Sequence, residues 1–154
     1  MNNTVYETEN ATAATATAGT KHLASLNEVF TFDSTTFVTL PHLEFEIKVG
    51  EQWTFEVNLM TNNIEDSLRA KALTPANSTG RLAVINAENS TVRGISINAD
   101  TVVTVTPGTD DLIQIKGIVT AGENGVVQFQ IRNNIVTTPQ SFREHSWIEA
   151  TKIS

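Results

Sequence analysis

The sequence predicts an all-β protein, an antiparallel, jelly-roll-like β-sandwich carrying an extended N-terminal arm. Three observations lead there. From Val29 onward apolar residues recur with a period of two, not the 3.6 of a helix. Short alternating runs are separated by turn-rich pieces at the spacing of a sandwich or jelly roll. The composition is 40% hydrophobic but only 18% charged, rich in Thr, Asn, Ser and Ala, which suits half-buried strands better than solvent-washed helices. The 154 residues fit one domain, and a chain of this size buries roughly two thirds of its unfolded surface.

Residues 1–25, "MNNTVYETENATAATATAGTKHLAS", hold too few large apolar groups to build a core. They are expected to form an arm that orders on a partner, anchored by Val5, Tyr6 and Leu23, with residues 26–154 as the sandwich domain. "VFTF" opens that domain. In "LEFEIKV" the side chains of Leu43, Phe45, Ile47 and Val49 point one way and those of Glu44, Glu46 and Lys48 the other. "GEQWTFEVNL" follows with Trp53, Phe55, Val57 and Leu59 inward, and Gly50-Glu51 supplies a short turn, so the two runs are expected to pair as a hairpin. Further strands are expected at "LRAKAL", "RLAVINA", "VRGISI", "TVVTVT", "LIQIKGIVT", "VVQFQI" and "SWIEATKI". The prolines Pro41, Pro75, Pro107 and Pro139 fall between or at the edges of runs, where a missing N–H harms no central ladder. "NNIEDSLRAKAL" comes nearest to a helical stripe and leaves room for a turn of helix around residues 64–67.

"GIVTAGENGVVQFQI", residues 117–131, reads as a second hairpin over a tight glycine turn. Ile113, Ile115 and Val119, with Val127, Phe129 and Ile131, belong to the core. Gln114, Lys116, Gln128 and Gln130 then lie outward as one amide strip of little net charge. Three copies around an axis would pair such amides without like-charge repulsion, so Gln114, Gln128 and Gln130 are expected to line a trimer interface.

No motif declares a chemistry. The formal net charge is -7 and Lys and Arg are scattered singly, which argues against nucleic-acid binding. Cysteine is absent, removing disulfides and thiolate chemistry. No 18-residue apolar run marks a membrane span, and the acids in "MNNTVYETEN" do not fit a signal peptide. Sequons at Asn2, Asn10, Asn77 and Asn89 have meaning only in a secretory context. His22, His42 and His145 lack metal-ligand spacing. "REHSW" gathers Glu144 and His145, but neighbours on a strand face opposite sides. Asp110-Asp111 fits a turn better than a calcium site. Glu44 and Glu46 fit a solvated strand face better than a glycosidase pair. Trp53 falls in register with the core, while Trp147 keeps sugar stacking in view. The expectation is a non-enzyme without metal or cofactor.

Four segments carry a resemblance. "TTFVTLPHLEFEIKVGEQWTFEVNLM", "LRAKALTP", "IQIKGIVTAGENGVVQFQIRNN" and "SFREHSWIEATKI" follow one another in an order that resembles a phage virion jelly-roll domain, the kind found in capsid decoration (cement) proteins and in tail or head fibres. The likeness covers residues 30–154. It implies a homotrimer with no catalytic residues and leaves capsid or tail open; a module nearly alone behind a 25-residue arm favours the outer surface of a virion capsid, with the major capsid protein as partner. The alternative it implies is a receptor- or glycan-binding tip of a tail or head fibre. Neither nucleic acid nor membrane is an expected partner.

Overall fold

The computed structural model describes residues 17–64, 67–86, 91–103, 111–135 and 138–154. They form an all-β sandwich of two antiparallel sheets. The strands are β1 Lys21–Ser25, β2 Phe30–Phe32, β3 Val38–Ile47, β4 Gln52–Asn63, β5 Leu68–Leu73, β6 Thr79–Asn86, β7 Thr91–Ser96, β8 Thr101–Val103, β9 Leu112–Thr120, β10 Gly125–Asn133, β11 Gln140–Phe142 and β12 Trp147–Lys152. The larger sheet runs β1-β12-β4-β9-β6-β7, with β11 pairing the far half of β4 and β2 pairing β11. The smaller runs β3-β10-β5-β8.

Neither expected hairpin exists. β3 and β4 lie in different sheets, and so do β9 and β10. Period-two alternation fixes which face of each strand is buried, and in a sandwich that face is the same whether the chain pairs back on itself or crosses to the opposite layer. The two crossovers lie side by side at one end of the molecule. Gly50 N–H donates to the Ala121 carbonyl at 2.9 Å, Ala121 N–H to Glu51 at 2.9 Å, and Val49 N–H to Asn124 Oδ1 at 2.8 Å. Gly50 has φ 81°, the left-handed region glycine enters without strain. Val49, expected inward, sits at this tip beyond the last β3–β10 pair and is exposed.

Between the layers the inward residues meet as the alternation predicts. Leu43, Phe45 and Ile47 of β3, Trp53, Phe55, Val57 and Leu59 of β4, Ile113, Ile115 and Val119 of β9 and Val127, Phe129 and Ile131 of β10 are all buried. Phe55 packs edge-on against Phe129 with ring centroids 5.2 Å apart. Gly117 of β9 makes room for this: a Cβ there would meet Phe55 Cζ at 2.5 Å and the Arg81 carbonyl at 2.7 Å. A second aromatic group, Phe30, Phe32 and Phe142, stacks where β2 and β11 join the larger sheet.

Three further differences bear on function. The expected arm yields its last five residues to β1, paired with β12 from Lys21↔Thr151 to Ser25↔Trp147; backbone pairing along an open edge needs no apolar content, so composition concealed it. Pro41 lies within β3 and not beside it. It is tolerated because β3 is an edge strand and bulges there, Gln128 facing Glu44 while Gln130 faces Thr39, with His42 at φ 63°. β11 had no signal of its own in "QSF". The second half of "TVVTVT" and residues 65–66 of the expected helical turn lie outside the described residues.

Candidate functional site

The sandwich offers two outward faces and the edge formed by β1. At that edge, β1 presents Leu23 outward, 68% exposed, in register with Glu149 and diagonal to Trp147, which is 38% exposed. Lys21 Nζ pairs with Glu149 Oε1 at 2.8 Å beside them. The chain leading back to Val5 and Tyr6 leaves from the start of this strand, and those two residues lie outside the described ones.

Gln114 lies on the outer face of the larger sheet. Its Nε2 donates to Asn58 Oδ1 at 2.7 Å and to Glu56 Oε1 at 3.3 Å, and Lys116 Nζ pairs with Glu56 Oε2 at 3.1 Å. Burial pushes the Glu56 carboxyl up, but the bonds from Asn58 and Lys116 outweigh it and hold it below its ordinary value. These side chains form a network of amides and charges, with the exposed Trp147 in register beside Asn58 on the same face.

Gln128 and Gln130 lie on the opposite side of the molecule, outward on β10 in the smaller sheet. Gln128 Nε2 donates to Glu44 Oε2 at 2.9 Å and Gln130 Nε2 to Thr39 Oγ1 at 3.1 Å. The single strip of Gln114, Gln128 and Gln130 therefore does not form. The β9–β10 connection crosses the sandwich, so the outward positions of the two strands point apart.

The same face holds a cluster that sequence inspection missed. The register Gln130↔Lys71 and Arg132↔Arg69 brings three scattered basic residues together where the start of β5 meets the end of β10. Lys71 Nζ lies 4.3 Å and the Arg132 guanidinium 5.2 Å from the centroid of the Phe37 ring. Directly opposed arginines repel. Asp100 relieves this, bonding Arg69 Nε at 2.8 Å and Nη2 at 3.0 Å and approaching Arg132 at 3.9 Å. The Arg69 hydrogen bonds hold the Asp100 carboxyl below its usual range. The signal lay in Arg69 and Lys71, two apart on one strand and hence on one face; Arg132 needed the pairing of β5 with β10.

No protein-family model matches the chain, and no curated protein matches it. Among solved structures, the VP2 subviral particle of infectious bursal disease virus is similar at 12% identity and a TM-score of 0.46, over 88% of this chain and 33% of that one. The Gx strain of infectious bursal disease virus is similar at 13% identity and a TM-score of 0.42, over 97% of this chain and 37% of that one. The chain spans about a third of the length of the solved chains it matches.

Among the described residues no three His, Asp or Glu side chains converge as a metal site. Glu144 and His145 stand in a turn between β11 and β12, not on a strand, so they do not diverge; they lie 4.0 Å apart and both are exposed. Asp110 lies outside the described residues, and Asp111 turns Oδ1 to its neighbour, accepting from Leu112 N–H at 2.7 Å. Trp53 is a core residue whose Nε1 donates to Glu51. A cleft of about 330 Å3 lies between the segment Leu26–Phe30 and the β3 bulge at Pro41 and His42.

His22 faces inward from β1 against Phe45, and its Nε2 is buried without a hydrogen-bond partner. Burial lowers its pKa, against the opposing pull of the Glu44 backbone and the Glu44 and Glu46 carboxylates. A folded-state value below the unfolded value of about 6.5 means the unfolded chain takes up a proton first. Stability is therefore expected to fall as the pH drops from 7 to 5, and His22→Phe to flatten that dependence. Urea midpoints at the two pH values check it; an unchanged slope in the variant would show that His22 is not the responsible group.

Proposed function

We propose that this chain is a phage capsid decoration (cement) protein, a homotrimer that binds the outer surface of an assembled major capsid shell and stabilises it. The observation that carries this reading is the arm-bearing edge. The strand next to the arm presents Leu23 and Trp147 as an exposed apolar pair, and the chain carrying Val5 and Tyr6 starts from the same strand. An apolar pair beside an anchor-bearing segment suits adhesion to a protein surface. The outward faces support the same reading, since Gln114, Gln128 and Gln130 bond neighbouring side chains and, among the described residues, no three His, Asp or Glu groups gather as a metal site.

Such a protein needs no chemistry. Whatever binds only the assembled shell stabilises it by linkage, and three linked copies multiply a weak contact through effective concentration. Gln128 and Gln130 border the trimer axis in this reading, whereas Gln114, on the other side of the sandwich, does not. The partners are further copies and the major capsid protein, with no cofactor, nucleic acid or membrane.

Removing residues 1–16 is expected to weaken cosedimentation with assembled shells at least about tenfold, some 1.4 kcal/mol. Unchanged affinity would remove the arm from the contact. The exposed Trp147 favours a second reading, a glycan-binding tip of a tail or head fibre, and glycan-array signal abolished by Trp147→Ala would support it.

A further inference from the structure

The outer face of the smaller sheet is polarised in charge. Its β3 side carries Glu44 and Glu46, its centre the neutral Gln128 and Gln130, and its β5 side Lys71 and Arg69 with Arg132 beside them. Asp100 neutralises part of the basic end through Arg69. Among the described residues, neither Glu46 nor Lys71 has an ion-pair partner.

Glu46 and Lys71 do not meet within one molecule. Glu46 is opposite Val126 and Lys71 opposite Gln130, four residues apart along β10 and on strands flanking it. Sheet geometry separates them by about 13 Å along the strands and about 10 Å across. That exceeds the screening length of about 8 Å at physiological ionic strength.

We propose that this face is a contact between copies, the Glu44–Glu46 side of one chain meeting the Lys71–Arg132 side of the next, with the glutamines between them. The occupant is a second copy because the two ends complement each other in sign and the centre bears amides that pair with their own kind. Phe37, whose ring lies under Lys71 and Arg132, adds an apolar surface to the basic side. This assignment rests on the homo-oligomeric reading above and adds the residues that would hold the copies together.

Charge reversal in the full-length chain tests it, with circular dichroism and thermal melting confirming that each variant folds. Sedimentation velocity and native mass spectrometry then read the oligomer. Lys71→Glu and Glu46→Lys are each expected to weaken assembly at least tenfold, and the double variant to restore it. Raising salt from 0.1 to 1 M should weaken assembly of the wild type, since screening shortens with ionic strength. If the single reversals leave the oligomer intact, the copies meet elsewhere and this assignment falls while the oligomeric reading stands. If the wild type is monomeric at every concentration, the oligomeric reading falls with it.

Discussion

Replacing Phe129 by alanine is expected to lower the unfolding free energy by about 3–5 kcal/mol. Phe129 is fully buried at the middle of β10, opposite Ala72 on β5, with its ring edge-on against Phe55. Truncation loses the transfer energy of the ring and opens a void between the layers. Collapse into that void is limited: Phe55 is already committed to the space above Gly117 and lies beside Phe45 at 6.2 Å, and β10 is held on both sides by β3 and β5. For a domain of this size each kcal/mol is worth about 2–4 °C in melting temperature. Urea unfolding should show a lower midpoint with an unchanged slope. A loss of less than about 1 kcal/mol would mean that the layers do not meet at Phe129.

The second large effect lies at the crossover end. Glu51 and Lys152 form a buried ion pair, Lys152 Nζ to Glu51 Oε1 at 2.9 Å, and the other carboxylate oxygen accepts from Trp53 Nε1 at 3.0 Å and Lys48 N–H at 3.1 Å. Lys152→Met leaves the carboxylate buried without its cation, and loss of one partner of such a pair costs about 3–5 kcal/mol. Adding Glu51→Gln to that variant should recover part of the loss, because an amide needs no counter-charge. The pH dependence has a definite sign. Burial pushes the Glu51 carboxyl up, but the bonds from Lys152, Trp53 and Lys48 outweigh it and its folded pKa is depressed. The stability it contributes is fully present above the unfolded value of about 4.3 and is lost as the pH falls through the folded value. Glu51→Gln should remove that acid-sensitive part, as urea midpoints between pH 3 and 6 will show.

What the sequence makes legible is facing. Alternation in "LEFEIKV", "WTFEVNL" and "LIQIKGIV" assigns inward and outward residues correctly apart from Val49, because burial follows from the pleat of each strand by itself. Pairing is a different matter, decided by contacts between segments far apart in the chain. Gly50 and the "AGENG" turn are equally good for a hairpin and for a crossover, so local chemistry does not separate the two. The consequence was the amide strip: Gln114 and Gln128 share a phase but not a sheet. The basic cluster on the smaller sheet was hidden for the same reason, its members drawn from β5 and β10, which are joined only by register. β1 was concealed because an edge strand needs backbone partners more than apolar side chains, and its composition resembles that of residues 1–20 before it. Glu51, flagged only as a turn residue, became a buried ion pair through Lys152 at the other end of the chain.

If this molecule coats an assembled shell, it must be visible on the particle. The decisive measurement is a reconstruction of the intact virion, with the copy number from quantitative mass spectrometry. Three-lobed density is expected on the outer surface of the shell, repeated at its symmetry-related sites, with hundreds of copies per particle. Density confined to a tail or fibre, with a few dozen copies or fewer, would contradict it.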